Sequence, residues 1–473
     1  MSFDAIKVRE KIMDIIRKDR LPNVSVCVQG PDGIVFSEGF GKRNEEEDIV
    51  DTDTVFGIAS MSKSITSLCI CILAVEGKLS LEDPVTRFLP DFQVPGAPSS
   101  LVTIRTLANH TSGIPPMEPL EWSIAMNSHR RETPWLKAMR DSAPNKMDTI
   151  DQVLEYIRNC PYPTVGAPGE NMSYSNEGYA ILSYIVDAAS GMPLEEFCAQ
   201  RIFQPLGMTR TVMDVDGHNA EQLAKGNIAS LYEYDDNGNL LCDRDWSILP
   251  PFRGSAMVKS TAKDMASYYQ CLSCLGISEG RQVIPKEAIM MMIGPSVPLR
   301  REAVYGLGLY KREFDGHVIC EHSGGLHGVS TKGGLLFGEG YGFAVLCSLG
   351  DADMDEIMWC LYNAVIGLPL HTSHRWFVPC NQPFSDPQTL SGIYVGHEGI
   401  PETCNVSDDG THAVLSDRIC DLVWCGGSRF LAVDPSDHHC LRGRLEFFYR
   451  SGHAWAVRVG SRIFTAETPI QDI

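Results

Sequence analysis

Ser60 and Lys63 stand three residues apart in the segment FGIASMSKSITS, residues 56–67. In a helix, side chains with this spacing lie on one face, a turn apart. An uncharged lysine amine in that position can take the proton of the serine hydroxyl, which makes the oxygen a nucleophile at neutral pH. Desolvation lowers the pKa of an amine, so this chemistry requires that Lys63 be partly buried. The neighbours that would bury it are apolar, namely Ile58, Ala59 and Ile65.

The same Ser-x-x-Lys spacing recurs in STAK, residues 260–263. About one such match is expected by chance in a chain of this length and average composition. This second copy has a structural explanation, because Thr261 and Asp264 form a capping-box pattern at the start of a predicted helix. The spacing alone therefore does not identify a nucleophile, and further motifs must separate the two copies.

Two other short motifs carry residues that suit acyl-transfer chemistry. Tyr174-Ser175-Asn176 precedes a predicted helix; a phenol there can relay a proton and an amide can orient substrate and lysine. His322-Ser323-Gly324 lies on a predicted strand and is followed by Gly325. Glycines let a substrate approach such a strand, and a backbone N–H there can help to form an oxyanion hole. Taken singly, the motifs are also explained by a turn tyrosine and a hairpin.

Together and in this order, the three motifs resemble those of the serine β-lactamase/penicillin-binding-protein superfamily, specifically its class C β-lactamase-like esterases and D-aminopeptidases. The resemblance covers residues 20 to 370 approximately. It includes longer phrases shared with that family: DTDTVFGIASMSKSIT, GKLSLEDPVTRFLPDF, VTIRTLANHTSGIP, GAPGENMSYSNEGYAIL, IFQPLGMTRTVM, VYGLGLY and HSGGLHGVS.

The resemblance implies a role for each motif residue. Ser60 matches the nucleophile and Lys63 the base that activates it, while Tyr174 matches the residue that shares proton transfer with the lysine. The residues expected to line the substrate site are Asn176, His322, Gly324 and Gly325. The oxyanion hole would consist of the backbone N–H groups of Ser60 and Gly325.

Two nearby polar residues receive other interpretations. Ser62 falls on a different helix face from Ser60 and is not expected to be the nucleophile. His110, in the phrase NHTSG, matches a scaffold segment and is interpreted as structural.

The third motif, His322-Ser323-Gly324, differs from that of the β-lactamases and cell-wall peptidases of the superfamily. Those members carry Lys-Thr-Gly at this position. A histidine is mostly neutral at pH 7 and is a weaker partner for a substrate carboxylate. This favours an esterase, amidase or D-aminopeptidase over a β-lactamase or DD-peptidase. An acyltransferase would use the same acyl-enzyme and stays an alternative, while the intact motif set argues against an inactive scaffold.

The elements around the motifs indicate an α+β fold. Strand patterns come first, helical patterns dominate from 100 to 270 approximately, and strands return at 303–348, which fits one antiparallel sheet built from both ends of the segment. We expect a β-lactamase/transpeptidase-like domain over residues 1–372, with a helical insert at about 115–163. Short alternating strands over 385–473 predict a separate lipocalin-like antiparallel β-barrel. The sequence leaves open whether this barrel contributes to the active site.

Four bulky residues of the insert allow two interpretations. They could line the substrate cleft, or they could form the core of an ordinary helical subdomain; they are Trp122, Met126, Trp135 and Met139.

Composition limits the partners. The formal charge of −20 argues against nucleic-acid binding. The N-terminal segment has charges at helical spacing and no apolar core of a signal peptide, so we expect a cytoplasmic protein. The sixteen cysteines are then expected to be reduced, packed thiols. The sequence implies no metal or organic cofactor and no membrane association. The expected partner is a small-molecule or short-peptide acyl substrate, and a homo-oligomer is compatible with the sequence.

Overall fold

The structure, a computed structural model, describes residues 3–235, 237–294, 296–298, 303–375, 379–398 and 402–467, apart from the side chains of residues 438 and 439. The α-helices of this part of the chain are α1 (Ala5–Lys18), α2 (Ser62–Val75), α3 (Ile104–Ala108), α4 (Pro119–Asn127), α5 (Pro134–Ser142), α6 (Ile150–Arg158), α7 (Asn176–Ser190), α8 (Leu194–Cys198), α9 (Asn219–Ala224), α10 (Arg253–Ala256), α11 (Ala262–Ser273), α12 (Lys286–Ile293) and α13 (Asp355–Ile366).

The strands up to the end of the main sheet are β1 (Asn23–Gly30), β2 (Gly33–Gly41), β3 (Phe56–Gly57), β4 (Val212–Met213), β5 (Leu231–Tyr234), β6 (Leu240–Asp243), β7 (Val258–Ser260), β8 (Ile277–Ser278), β9 (Arg281–Gln282), β10 (Val297–Pro298), β11 (Ala303–Tyr305), β12 (Tyr310–Phe314), β13 (His317–Leu326), β14 (Val329–Leu336) and β15 (Tyr341–Cys347). The strands that follow are β16 (Gly392–Gly396), β17 (Glu402–Val406), β18 (His412–Leu415), β19 (Arg418–Trp424), β20 (Arg429–Asp434), β21 (Asp437–Arg450), β22 (His453–Val459) and β23 (Arg462–Ala466).

The chain divides into two compact units that alternate along the sequence. The first unit comprises Met1–Asp83, Asn127–Arg131 and Tyr179–His374, and the second comprises Pro84–Met126, Glu132–Gly178 and Arg375–Ile473. The domain division proposed above, at residues 372 and 385, stays a prediction.

The first unit is built on an eight-stranded antiparallel sheet with the order β10-β11-β12-β13-β14-β15-β1-β2. Its strands come from the two ends of the segment, as the sequence predicted. Helix α1 presents Val8, Ile12 and Ile15 to the core, and these residues pack with apolar side chains of β1, β15 and α13. Helix α11 lies against β15, where Gly342 leaves no room for a Cβ beside the carbonyl oxygen of Ala266.

Helix α2 runs through the interior of the first unit. Every residue from Ser62 to Leu73 is buried. The helix ends before Gly77, whose φ of +71° is the left-handed conformation that commonly follows a helix. Because α2 is buried, any polar side chain on it must find a partner inside the protein.

The second unit contains a closed barrel of eight antiparallel strands, in the order β16 to β23. Inward-facing side chains alternate along the strands and fill the barrel, as expected for a small barrel; they include Tyr394, Cys404, Phe430, Leu445, Phe447 and Phe464. The barrel predicted from the short alternating strands over 385–473 is confirmed.

The helical part of the second unit has a small hydrophobic core of its own. Trp122, Leu136 and Met139 are buried in it, and Trp135 packs against them. Met126 is partly exposed. This packing supports the interpretation of the insert as a helical subdomain with its own core.

Candidate active site

Ser60 lies in a short 3-10 turn, Ala59–Met61, that leads directly into α2. Ala59 has a φ of +45°, a conformation that is costly for a residue with a Cβ and that is found mainly at functional sites. Backbone contacts hold the turn, because Ile58 N donates to Val258 O at 3.0 Å and Thr331 Oγ1 donates to Ile58 O at 3.1 Å. The serine is therefore fixed at the positive end of a buried helix, a position that favours developing negative charge.

Lys63 contacts Ser60 directly. Its Nζ lies 3.2 Å from Ser60 Oγ and 3.1 Å from the carbonyl oxygen of Ser255, and its side chain is 0% exposed. The Ser255 carbonyl is presented by α10, which is tied to α2 by a 2.7 Å hydrogen bond from Thr66 Oγ1 to Gly254 O. This burial and spacing are what the sequence argument required. The Ser255 carbonyl gave no signal in the sequence, because any residue type can supply it.

Ser62 has a structural role. It is 0% exposed, and its Oγ accepts a hydrogen bond of 3.1 Å from the backbone N–H of Val258. The hydroxyl thereby links the start of α2 to β7, which agrees with the prediction that Ser62 lies apart from Ser60.

His322 is buried on β13 near Lys63. Its Nδ1 donates to Ser323 O at 2.6 Å, so its Nε2 accepts from the hydroxyl of Tyr305 at 3.2 Å. Burial, followed by the positive charge of Lys63, lowers the pKa of His322 to about 3. A histidine with this pKa is neutral throughout the physiological range, as the sequence argument assumed.

A charged network lies next to His322 on the same strand. Burial raises the pKa of Glu321, but the cations Arg312 and Lys332 outweigh it and lower that pKa to about 2. Glu321 Oε1 is 3.1 Å from Arg312 Nε, and Tyr362 Oη donates to Glu321 Oε2 at 3.2 Å. These contacts hold β13 in place at Glu321, next to the third motif.

Gly324 sits where a side chain could not fit. A Cβ there would be 2.2 Å from the carbonyl oxygen of Ile58, so β13 and the nucleophile turn are in close backbone contact. Gly325 has open space on the side where a Cβ would project, and it pairs in register with Ser330 of β14. The structure thus brings Ser60, Lys63, His322 and Gly324 together, with Gly325 adjacent in sequence. The oxyanion-hole assignment stays a prediction.

Tyr174 and Asn176 belong to the second unit, where they flank the start of α7. Tyr174 is 6% exposed, and its ring lies 4.3 Å from the imidazole of His110. His110 Nδ1 accepts from the backbone N–H of Ser175 at 3.1 Å, which is a structural role of the kind predicted for it. Their participation in catalysis stays a prediction.

A small cavity that is open to solvent lies in the first unit. Its wall combines Trp246, Lys259 and His327 with apolar and small residues that include Gly57, Met257 and Leu326. Trp246 and Leu326 also pack against a buried cluster that contains Ala59, the residue before Ser60. Lys259 is ion-paired with Asp214 at 2.5 Å, and its Nζ lies 4.9 Å from the centre of the Trp246 ring.

The described part of the chain contains no group of three or more His, Cys, Asp or Glu side chains placed to hold a metal ion. None of its helices combines the length and the apolar character needed to cross a bilayer.

Comparison with known proteins assigns the chain to a family. Residues 8–359 match the protein family described as Beta-lactamase. Penicillin-binding protein 4* of Bacillus subtilis (strain 168) is 28% identical over 324 residues, which are 66% of this chain and 65% of that protein. The chain thus matches just under two thirds of the length of this relative.

Solved structures share the fold. The octameric penicillin-binding protein homologue from Pyrococcus abyssi has a TM-score of 0.68 and 23% identity, covering 98% of this chain and 100% of that one. The D-amino acid amidase from Ochrobactrum anthropi SV3, complexed with L-phenylalanine, has a TM-score of 0.61 and 20% identity, covering 76% and 99%. At these identities the likeness concerns the fold. Because the family match spans well over half of the residues, the chain belongs to the β-lactamase family of serine hydrolases, which includes penicillin-binding proteins.

Proposed function

We propose that the protein is a serine hydrolase that cleaves an ester or amide bond through an acyl-Ser60 intermediate. The observation that carries the proposal is the 3.2 Å contact between Lys63 Nζ and Ser60 Oγ, made by a lysine with no exposed surface. Burial makes loss of the ammonium proton easier, and the neutral amine so formed can accept the proton of Ser60 during the reaction. Membership of a family of serine hydrolases supports the same chemistry.

Acylation begins when Ser60 Oγ attacks the substrate carbonyl carbon while its proton moves to Lys63 Nζ. The carbonyl electron pair becomes an oxyanion, for which the resemblance implies the N–H groups of Ser60 and Gly325 as donors. Collapse of this intermediate breaks the bond to the leaving alcohol or amine, which receives the proton from Lys63; the family resemblance implies that Tyr174 shares this transfer. Water then attacks the acyl-Ser60 ester by the same steps and releases the acid.

The preferred substrate is not recognised mainly through a free carboxylate. His322 is neutral over the working pH range, because burial and the charge of Lys63 lower its pKa to about 3. The formal charge of −20 also disfavours anionic substrates. Esters, amides and peptide bonds, including those of D-amino acids, are within this range; the fold shared with a D-amino acid amidase agrees with it.

The cavity beside the nucleophile turn is the proposed site for the acyl side chain. Trp246 and Leu326 form an apolar wall that continues to Ala59. Gly57 permits this arrangement, because a Cβ there would be 2.5 Å from the Trp246 ring. A bulky apolar or aromatic acyl group would bury surface against that wall, so activity should rise from acetyl to phenylacetyl esters.

An active-site probe tests the proposal. A fluorophosphonate should label the wild-type protein at Ser60, as located by mass spectrometry of peptides, and Ser60→Ala should remove the label. Ser260→Ala is the matched control and should be labelled like the wild type. Absence of a Ser60 adduct in the folded wild-type protein would refute the hydrolase.

A substrate panel then defines the class. It should contain p-nitrophenyl esters, D- and L-amino-acid anilides and a chromogenic cephalosporin. We expect turnover of esters or anilides to exceed that of the cephalosporin. Adding alcohol or amine acceptors separates hydrolysis from acyl transfer through the ratio of free acid to transfer product.

A further inference from the structure

The barrel of the second unit binds the backbone around Tyr174. Tyr174 N donates to Ser461 O at 2.8 Å, and Ile463 N donates to Ser173 Oγ at 3.1 Å. Arg458 Nε donates to Met172 O at 3.1 Å. Three successive hydrogen bonds therefore join residues 172–174 to the hairpin that connects β22 and β23, and the position of this segment depends on the barrel.

Two charged barrel residues extend this contact to the side chains of the motif. Arg462 and Glu398 form an ion pair in which Nη2 lies 2.7 Å from Oε1, with a second contact between Nε and Oε2. Glu398 Oε1 also accepts a 2.8 Å hydrogen bond from Asn176 Nδ2. The guanidinium of Arg462 lies 5.0 Å from the centre of the Tyr174 ring. One ion pair thus contacts both Tyr174 and Asn176 of the Tyr174-Ser175-Asn176 motif.

The two charges act on Tyr174 in opposite directions. A guanidinium over an aromatic face is attracted to its electrons, and a phenolate ring attracts it more strongly than a neutral phenol does. Arg462 is charged at every accessible pH, so it favours loss of the phenol proton. The carboxylate of Glu398 opposes that loss while holding Arg462 in place. Residues that only held Tyr174 in place would not shift its protonation equilibrium in a direction set by the sign of their charge.

We propose that the C-terminal barrel supplies the second motif with a positioning pair, in which Arg462 orients Tyr174 and favours its deprotonated form while Glu398 orients Asn176. This assignment rests on the proposed function for its catalytic consequence. The sequence indicated neither residue, because they lie more than 200 residues beyond the motif and belong to a different strand pattern.

Other charged groups surround the same segment within the second unit. His110 lies beside the Tyr174 ring, Glu177 accepts from Ser175 Oγ at 3.0 Å, and Arg458 is ion-paired with Glu446. All of these remain unchanged in the variants used below, so they form a constant background for each titration.

The test is the titration of Tyr174 in the full-length protein. Tyrosinate absorbance near 295 nm is followed against pH, and the matching Tyr174→Phe spectrum is subtracted in each background. Arg462→Met should move the Tyr174 midpoint up by about 0.5 to 1 pH unit. Glu398→Gln keeps an oxygen that can accept from Asn176 but removes the opposing charge, so it should move the midpoint down. Arg462→Lys should restore part of the shift.

Arg450→Met is the matched control. Arg450 lies 4.1 Å from the ring of Trp455 on the same barrel, so this variant also removes an arginine from an aromatic face. Its Tyr174 midpoint should equal that of the wild type. The proposal would be overturned if the Tyr174 midpoint stayed unchanged in both Arg462→Met and Glu398→Gln. It would also be overturned if the midpoint moved in the same direction in both variants. Either outcome counts even if the variants lose stability.

Kinetics add a separate outcome. For an activated ester, the acidic limb of the kcat/KM profile should shift in the same directions, with kcat changed more than KM. If the wild type forms no Ser60 adduct, the hydrolase proposal fails, yet the spectroscopic titration still decides the role of the barrel. If the wild type is acylated and the Arg462→Met profile matches Arg450→Met, the barrel assignment alone fails.

Discussion

The two Ser-x-x-Lys segments occupy equivalent helix positions but have different surroundings. Ser60 and Ser260 each lie two residues before a helix, and Lys63 and Lys263 are each its second residue. Lys63 is fully buried and contacts Ser60 at 3.2 Å. The side chain of Lys263 is 47% exposed and lies 3.8 Å from Asp53, while Ser260 Oγ is 2.7 Å from Thr211 Oγ1.

The difference arises from one residue between serine and helix. Met61 is helical, with φ −61° and ψ −21°, so the turn that holds Ser60 continues into α2. Thr261 is extended, with φ −111° and ψ 160°, and caps α11 through a hydrogen bond from Asp264 N. The serine and the lysine therefore lie on one helix face in the first copy only. Identical spacing has chemical meaning only where the backbone stays helical and the helix is buried.

Removing each serine in turn should give the largest difference in activity between the two Ser-x-x-Lys segments. Ser60→Ala should abolish acylation and leave the fold intact, because the reacting oxygen is lost. Ser260→Ala should keep near-normal activity and lower the free energy of unfolding by about 1 kcal/mol, through loss of its buried hydrogen bond to Thr211. Adduct formation by mass spectrometry and urea unfolding measure the two effects. Equal loss of activity in both variants would contradict the assignment.

Removing each lysine should give the next largest contrast. Lys63→Met should slow acylation by about 10²- to 10⁴-fold, the usual contribution of a positioned base. Lys263→Met should change it less than twofold, because that ammonium is half exposed and its ion pair is weak. Single-turnover rates with an activated ester are the measurement. Full activity in Lys63→Met would refute the role of this lysine as the base.

Much of this arrangement could be predicted from sequence. The strand and helix patterns identified the antiparallel sheet built from both ends of the segment and the C-terminal barrel, and the three motifs selected Ser60 over Ser62. The contacts that complete the site could not be predicted, because they depend on tertiary packing. The Ser255 carbonyl beside Lys63 and the Arg462–Glu398 pair beside Asn176 are examples. Their residue types are ordinary, and only the folded chain places them.

His322, which lies near Lys63 of the first copy, should make the free energy of unfolding depend on pH. Burial, then the charge of Lys63, lowers the pKa of His322 from its ordinary value of 6.5 to about 3. Between these values the unfolded chain binds more protons, so the stability from this group is complete above pH 6.5 and is lost as pH falls toward 3. The loss is at most about 1.4 kcal/mol per pH unit. Urea unfolding at pH 7.5 and 5.0 should show a smaller difference for His322→Gln than for the wild type.

The lysines provide the controls for this pH effect. Lys63→Met removes the second cause of the lowered pKa of His322 but leaves burial, so it should reduce the pH dependence partly. Lys263→Met should leave the dependence unchanged. His374, whose pKa burial and Arg312 also lower to about 3, contributes a constant background in every variant. A wild-type dependence retained in full by His322→Gln would contradict the buried neutral state.

The smallest effect should come from the helix start of the second copy. Thr261→Ala removes the side chain that accepts from Asp264 N at 3.1 Å, so it should lower the free energy of unfolding by about 1 kcal/mol. Thr261→Ser should retain most of that stability, because a serine caps a helix equally well. Acylation of Ser60 should stay within twofold of the wild type in both variants. A larger loss of activity in the folded Thr261→Ala protein would mean that the second Ser-x-x-Lys segment affects the chemistry, and the contrast between a catalytic and a structural copy would then be wrong.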